Sequence, residues 1–201
     1  AERDMTQHPE RFALDAEEIA ADVLRKAAPG VEDDGEWRVG LEIYLASARD
    51  EGRLNALGRR NVASAARGKL EARFRIAQTL SQHPDIKTRH ADRPIFIIGG
   101  WRTGTTLMIN LLHADPARRS FLRWEAYDPV PPPKTGELFA GPRFEAQQEK
   151  ALMALKYMPH IAAIHYEDAA SPTECQFLMT PSFCAQVYEA QADIPSWSHW
   201  F

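Results

Sequence analysis

Residues 93–112 read RPIFIIGGWRTGTTLMINLL and combine an apolar run, a glycine-rich turn and a second apolar run. Ile95 to Ile98 is short and apolar with a proline just before it, which is the pattern of a buried central strand. Gly99 and Gly100 end this run, and the apolar residues from Thr105 to Leu112 recur at helical spacing. The sequence therefore predicts a strand, a tight turn and a helix in that order. The fold class expected from this order is α/β, a parallel sheet flanked by helices.

The predicted turn has the features of an anion-binding site. The first N–H groups of a helix have no partner within the helix, and the helix dipole favours negative charge there. Glycines let the backbone approach a ligand closely, threonines add hydroxyl donors, and an arginine adds a planar guanidinium that suits phosphate or sulfate oxygens. The candidate binding residues are Arg102, Thr103, Gly104, Thr105 and Thr106.

The glycine spacing is similar to that of the nucleotide P-loop, with one departure. Gly99, Gly104 and Thr106 match the pattern, but Thr105 stands where a P-loop nucleoside triphosphatase has lysine. The nearest cation is Arg102, inside the loop. A turn without any ligand is the plain structural alternative, although an arginine and three threonines at a helix start favour a binding site for a phosphate-like group.

The stretch from Gly99 to Met108 resembles the 5′-phosphosulfate-binding loop of sulfotransferases. The likeness is closest to the branch that includes the bacterial and tyrosylprotein enzymes, in which Pro-Arg is followed by Ser or Thr and then Gly-Thr-Thr-Leu. Trp101 stands where that branch usually has proline, and residues 110–116 and 122–125 also resemble the bacterial enzymes. The resemblance implies a P-loop-like fold. It also implies transfer of a sulfuryl group from 3′-phosphoadenosine 5′-phosphosulfate (PAPS), as co-substrate and without a metal, to a hydroxyl.

The resemblance also implies catalytic roles for Arg102 and Glu125. Arg102 would offset charge on the bridging oxygen of the donor. An acidic residue shortly after the loop serves the resembling enzymes as general base, and Glu125, after a second predicted strand at Ser120 to Trp124, matches it best. An ion-paired or capping carboxylate is the structural alternative for Glu125. His165 is either a second acid/base or acceptor-pocket residue, or a structural histidine.

Composition narrows the classes of function. The 201 residues carry a net charge of −4, which argues against general nucleic-acid binding, although residues 84–123 hold seven cations and three carboxylates. No apolar run reaches the roughly 20 residues of a membrane helix, and the first ten residues do not form a signal peptide.

Cys175 and Cys184 are expected to be buried free thiols in a reducing cytoplasm. The expected partner is a small hydroxyl acceptor, and a homo-oligomer is left open.

Local signals predict a helical region at residues 1–90, followed at 91–201 by the N-terminal part of a sulfotransferase domain. The predicted helices are Asp15–Ala28, Trp37–Asp50, Asn61–Leu80, Phe144–Tyr157, Ser171–Leu178 and Pro195–Phe201. The helix at Ser171 begins at a capping box, and the one at Pro195 is only a first turn.

The sequence shows few strands. It also lacks a recognisable Ser/Arg pair of the kind that holds the donor's 3′-phosphate in the resembling family. We therefore expect the chain to be the N-terminal portion of a longer sulfotransferase. Two other hypotheses are an ATP-dependent small-molecule kinase, which the missing lysine disfavours, and a non-catalytic nucleotide-binding fragment.

Overall fold

The computed structural model describes residues 2–31, 33–100, 102–134 and 136–201. The chain divides into two compact units, Ala1–Pro84 with Gln176–Phe201, and Asp85–Cys175. The helices are α1 Glu2–Gln7, α2 Ala16–Lys26, α3 Trp37–Asp50, α4 Ala56–Gln82, α5 Thr105–His113, α6 Arg123–Tyr127, α7 Pro142–Tyr157, α8 Ile161–Ile164, α9 Cys175–Met179 and α10 Pro195–Trp200. None of the described helices is both long and apolar enough to cross a membrane.

Local capping residues explain where two helices of the first unit begin. The Asp15 carboxylate accepts the Glu18 N–H at 2.9 Å and caps α2, and α3 has the predicted bounds. α4 begins five residues before the predicted Asn61, because Asn55 accepts the Gly58 N–H at 2.9 Å and caps the helix there.

The core of the first unit joins both ends of the chain. The predicted apolar stripe of α4, which includes Ala66 and Leu70, is fully buried and packs with α2 and α3. The last 26 residues add aromatic rings to this core, with Tyr188 4.5 Å from Tyr44 and 5.7 Å from Trp197 between ring centroids. The predicted helix at Pro195 is confirmed as α10. This aromatic burial explains why residues 176–201, predicted as part of the loop domain, belong to the first unit.

The predicted sheet of the second unit is not formed by the described residues. Ile95, Phe96 and Ile98 lie in irregular chain and are 54%, 79% and 90% exposed. A buried parallel strand needs paired neighbours, and no described segment pairs with this run. The second predicted strand, Ser120 to Trp124, is wrong: it forms one antiparallel bridge, between Leu122 and Pro172, and then enters α6.

The same bridge overturns the capping box predicted at Ser171. The Arg123 N–H donates to the Ser171 carbonyl at 2.9 Å, so residues 171–173 are extended against 121–123 and the helix begins only at Cys175. The Ser171 hydroxyl donates instead to the Asp168 carboxylate at 2.9 Å. Cys175 and Cys184 are free and exposed, so their predicted burial is also wrong.

Candidate functional site

The glycine-rich loop runs directly into the N-terminus of α5. Gly104 is the N-cap residue and is left-handed, with φ 94° and ψ 13°, a conformation that glycine adopts without strain. Glycine has no side chain to cap the helix, so the N–H groups of the first turn have neither an intrahelical nor a side-chain partner. These donors, together with the helix dipole, lie at the place where the sequence predicts an anion-binding site. Trp101 lies outside the described residues.

Tight packing inside the loop explains its first glycine. A Cβ atom at Gly99 would lie 2.7 Å from the Thr103 hydroxyl oxygen and 2.9 Å from the Thr105 methyl group, so no larger residue fits. The Thr103 hydroxyl donates to the Gly100 carbonyl at 2.6 Å. The Thr103 hydroxyl therefore closes the loop rather than pointing a free donor outward, whereas Thr105 and Thr106 occupy the first two positions of α5.

Arg102 is exposed beside this helix start. Its φ of 62° is left-handed, which is uncommon and strained for a residue with a side chain. The guanidinium Nη1 donates to the Ile164 carbonyl at 2.7 Å, and this contact ties the loop to the last residue of α8. One bond uses one of five guanidinium donors. Arg102 therefore carries a permanent positive charge on the residue two positions before the N-cap of α5.

Glu125 occupies the third position of α6 rather than a strand end. It is 7% exposed, and its carboxylate pairs with Arg119 and accepts the Leu122 N–H at 2.9 Å. Both contacts match the structural alternative of an ion-paired, capping carboxylate. Among the described residues, the hydrogen bonds and the ion pair of Glu125 do not involve residues 102–106, so the structure does not join Glu125 to the loop.

A groove that the sequence did not reveal runs along α5. Its volume is about 580 Å³, and Thr106, Asn110 and His113 line it together with residues from 162 to 172. The spacing of these three side chains, four and then three residues apart, places them on one face of the helix. The only local signal is this polar stripe in an otherwise apolar helix, because the opposite wall lies some 50 residues later in the chain.

His165 belongs to the wall of this groove. Its Nε2 lies 3.9 Å from the Glu167 carboxylate, which is nearly buried and pairs with Arg123. Tyr166 follows it, and the hydrogen bond from the Tyr166 hydroxyl to Asp168 raises the pKa of that phenol, so the group is a neutral donor at neutral pH. Among the described residues, no group of three or more His, Cys, Asp or Glu side chains could hold a metal ion.

Comparison with known proteins gives the family. A model of the sulfotransferase family matches residues 94–201, which is more than half of the chain and includes the loop, α5 and the groove. A search of curated proteins gives no match.

Two solved structures are similar to this chain over nearly its whole length. Sulfotransferase STF1 from Mycobacterium tuberculosis is 30% identical with a TM-score of 0.76, and the match covers 92% of this chain and 51% of that one. Sulfotransferase STF9 from Mycobacterium avium is 26% identical with a TM-score of 0.80, covering 94% of this chain and 48% of that one. The chain thus spans about half the length of the structures it matches. On the family match and these two likenesses, the chain belongs to the sulfotransferase family.

Proposed function

We propose that this chain binds PAPS at the loop and serves the transfer of its sulfuryl group to the hydroxyl of a small acceptor. The observation that carries the proposal is the uncapped start of α5 at Gly104 beside Arg102, within the region that the family model matches. A phosphosulfate carries negative oxygens, and the first-turn N–H groups with an adjacent guanidinium supply fixed donors for them.

The proposed reaction needs charge stabilisation and positioning more than covalent chemistry. The acceptor oxygen forms a bond to sulfur while the bond from sulfur to the bridging oxygen of the 5′-phosphate breaks. Negative charge grows on that bridging oxygen, and Arg102 offsets it. The products are a sulfate ester and 3′-phosphoadenosine 5′-phosphate, and the acceptor proton passes to a base.

We propose Glu125 as that base, by resemblance. Its carboxylate already accepts hydrogen bonds from Arg119 and from the Leu122 N–H, and a carboxylate has about four acceptor positions, so an acceptor hydroxyl needs access to one of those that remain. A shift of the exposed Arg119 side chain would free one oxygen while the other oxygen keeps the cap. Experiments on Glu125 must therefore distinguish a role as general base from a structural role in α6.

The proposal also includes the cellular location and the partner of the protein. A PAPS-dependent enzyme with free, exposed thiols at Cys175 and Cys184 suits a reducing cytoplasm. The proposed partner is a small molecule that carries a hydroxyl group.

Donor choice distinguishes this function from a kinase. The protein, incubated with a mixture of simple alcohols, phenols and sugars, receives either ³⁵S-labelled PAPS or γ-³²P-labelled ATP with Mg²⁺. We expect label to leave PAPS at a rate above the protein-free control, and the rate to be unchanged by EDTA. Label transfer from ATP alone, abolished by EDTA, would place the protein among phosphotransferases instead.

A further inference from the structure

Helix α7 packs against its own unit with one face and leaves the other face uncovered. The packed face lies against α6 and buries Ala151. On the uncovered face Leu152 and Met153 are each 52% exposed and Tyr157 is 76% exposed. Leucine and methionine side chains are usually buried, and several exposed apolar side chains side by side mark a surface for interaction.

These apolar residues share one side of α7 with three charged residues. Side chains spaced three and four residues apart along a helix lie on the same face, and here they extend over about 18 Å. They line a shallow surface groove whose described lining residues all belong to α7, so no other described segment forms an opposite wall. The α7 stripe consists of Glu145, Glu149, Leu152, Met153, Lys156 and Tyr157.

The charges of the α7 stripe are not compensated within the helix. Glu145 and Glu149 are four residues apart, a spacing that brings their like charges close together. Lys156 follows Glu149 by two helical turns, roughly 10 Å, which is too far for an ion pair. Among the described residues, none of the three takes part in a salt bridge. The stripe therefore has an acidic first half, a cationic second half and apolar residues beside both.

We propose that the α7 stripe binds a second copy of this chain, with the two helices antiparallel about a two-fold axis near Leu152. The stripe is complementary to itself in this arrangement, because the acidic half of each copy faces the Lys156 end of the other. The apolar residues of the two copies then cover one another. A parallel arrangement would instead place like charges opposite each other. An isologous contact of this kind closes after two copies and forms every charge pair twice.

The α7 stripe suits a protein partner better than a membrane or a small molecule. Amphipathic helices that lie on anionic membranes carry lysines and arginines on their polar face, whereas two of the three charges here are carboxylates. Small-molecule sites enclose most of the ligand surface, and residues of a single helix cannot do so. A second helix lying along the stripe is the occupant that both the apolar residues and the charge pattern favour.

Sedimentation equilibrium of the 201-residue chain, at concentrations up to about 1 mM, gives the dissociation constant of the dimer. The variant Glu145→Lys/Glu149→Lys makes all charges of the stripe positive, and Lys156→Glu makes them all negative. Lys150→Glu is the matched control. Lys150 is also an exposed lysine of α7 but lies outside the stripe, and its reversal changes the net charge by the same amount as Lys156→Glu.

We expect the wild type to dimerise and each charge variant of the stripe to raise the dissociation constant at least about tenfold, since every reversed charge counts twice. The two variants mixed in equal amounts should form a heterodimer about as stable as the wild-type dimer, because a positive stripe then faces a negative one. Lys150→Glu should dimerise like the wild type. Recovery in the mixture also shows that neither variant lost dimerisation by misfolding.

Three outcomes would overturn the inference: a wild type that stays monomeric, charge variants that dimerise as tightly as the wild type, or a mixture that fails to associate. Co-sedimentation with vesicles of phosphatidylcholine and phosphatidylglycerol tests the other occupant. A wild type that binds vesicles and remains monomeric would assign the α7 stripe to a lipid surface instead. None of these measurements involves a sulfuryl donor, so their outcome is independent of the proposed function.

Discussion

Replacing Arg102 with alanine should lower the rate of sulfuryl transfer by roughly 10² to 10³, the usual effect of removing one preorganised donor to a developing anion. The guanidinium belongs to the loop that precedes α5 and donates to the Ile164 carbonyl at 2.7 Å, which restrains its position before the reaction begins. Arg102→Lys keeps a positive charge but loses the planar fork and should therefore retain part of the rate. Release of ³⁵S-labelled sulfuryl from PAPS gives the rate of each variant.

Arg93→Ala is the matched control for this prediction. Arg93 is also an exposed arginine with left-handed backbone, at φ 47°, and alanine at either position meets the same backbone strain. Both alanine variants should melt close to the wild-type temperature, and Arg93→Ala should keep its activity. If Arg102→Ala transfers sulfuryl groups as fast as Arg93→Ala, Arg102 has no part in the reaction.

Glu125→Gln should lower the rate by roughly 10² to 10⁴ and change stability little, if Glu125 accepts the acceptor proton as proposed. The glutamine amide oxygen still accepts the Leu122 N–H and so preserves the cap of α6, whereas the amide cannot take up a proton. Glu125→Ala removes base and cap together. It leaves a buried N–H unpaired and should destabilise the protein by about 1–3 kcal/mol in urea unfolding.

Asp115→Asn is the control that distinguishes loss of a base from loss of a capping carboxylate. Asp115 also pairs with an arginine, Arg118, at 3.1 Å and accepts a backbone N–H, that of Ala117, at 2.9 Å. It contributes nothing to the loop or groove, so its amide variant should keep full activity. A Glu125→Gln protein that is as active as Asp115→Asn would assign Glu125 a purely structural role in α6.

The sequence predicts those parts of the fold that depend on neighbours along the chain. The cap at Asp15 and the bounds of α3 follow from residues within a few positions, and the uncapped glycine start of α5 follows from the loop itself. The run Ile95 to Ile98 has the composition of a buried strand, but pairing and burial depend on segments distant in sequence, and the described chain provides none.

The candidate site also has parts that local sequence predicts and parts that it does not. Arg102 and the threonines are recognisable because the whole anion-binding geometry lies within eight residues. The groove wall at Ala162 to Pro172 meets α5 only through the fold, so no local pattern predicts it. The sequence predicts Glu125 at a strand end, whereas the residue lies in α6. No local pattern reveals this, because the bridge from Leu122 to Pro172 joins residues 50 apart.

Calorimetric titration with 3′-phosphoadenosine 5′-phosphate is the most direct test of the central claim, which is that the start of α5 binds a PAPS-type donor. Wild-type protein and the Arg102→Ala and Arg93→Ala variants are titrated in EDTA, and the wild type is also titrated with ATP and Mg²⁺. We predict metal-independent binding of the adenosine bisphosphate that Arg102→Ala weakens and Arg93→Ala does not. Binding of ATP only, and only with Mg²⁺, or no binding of either nucleotide, would contradict the assignment of the donor site.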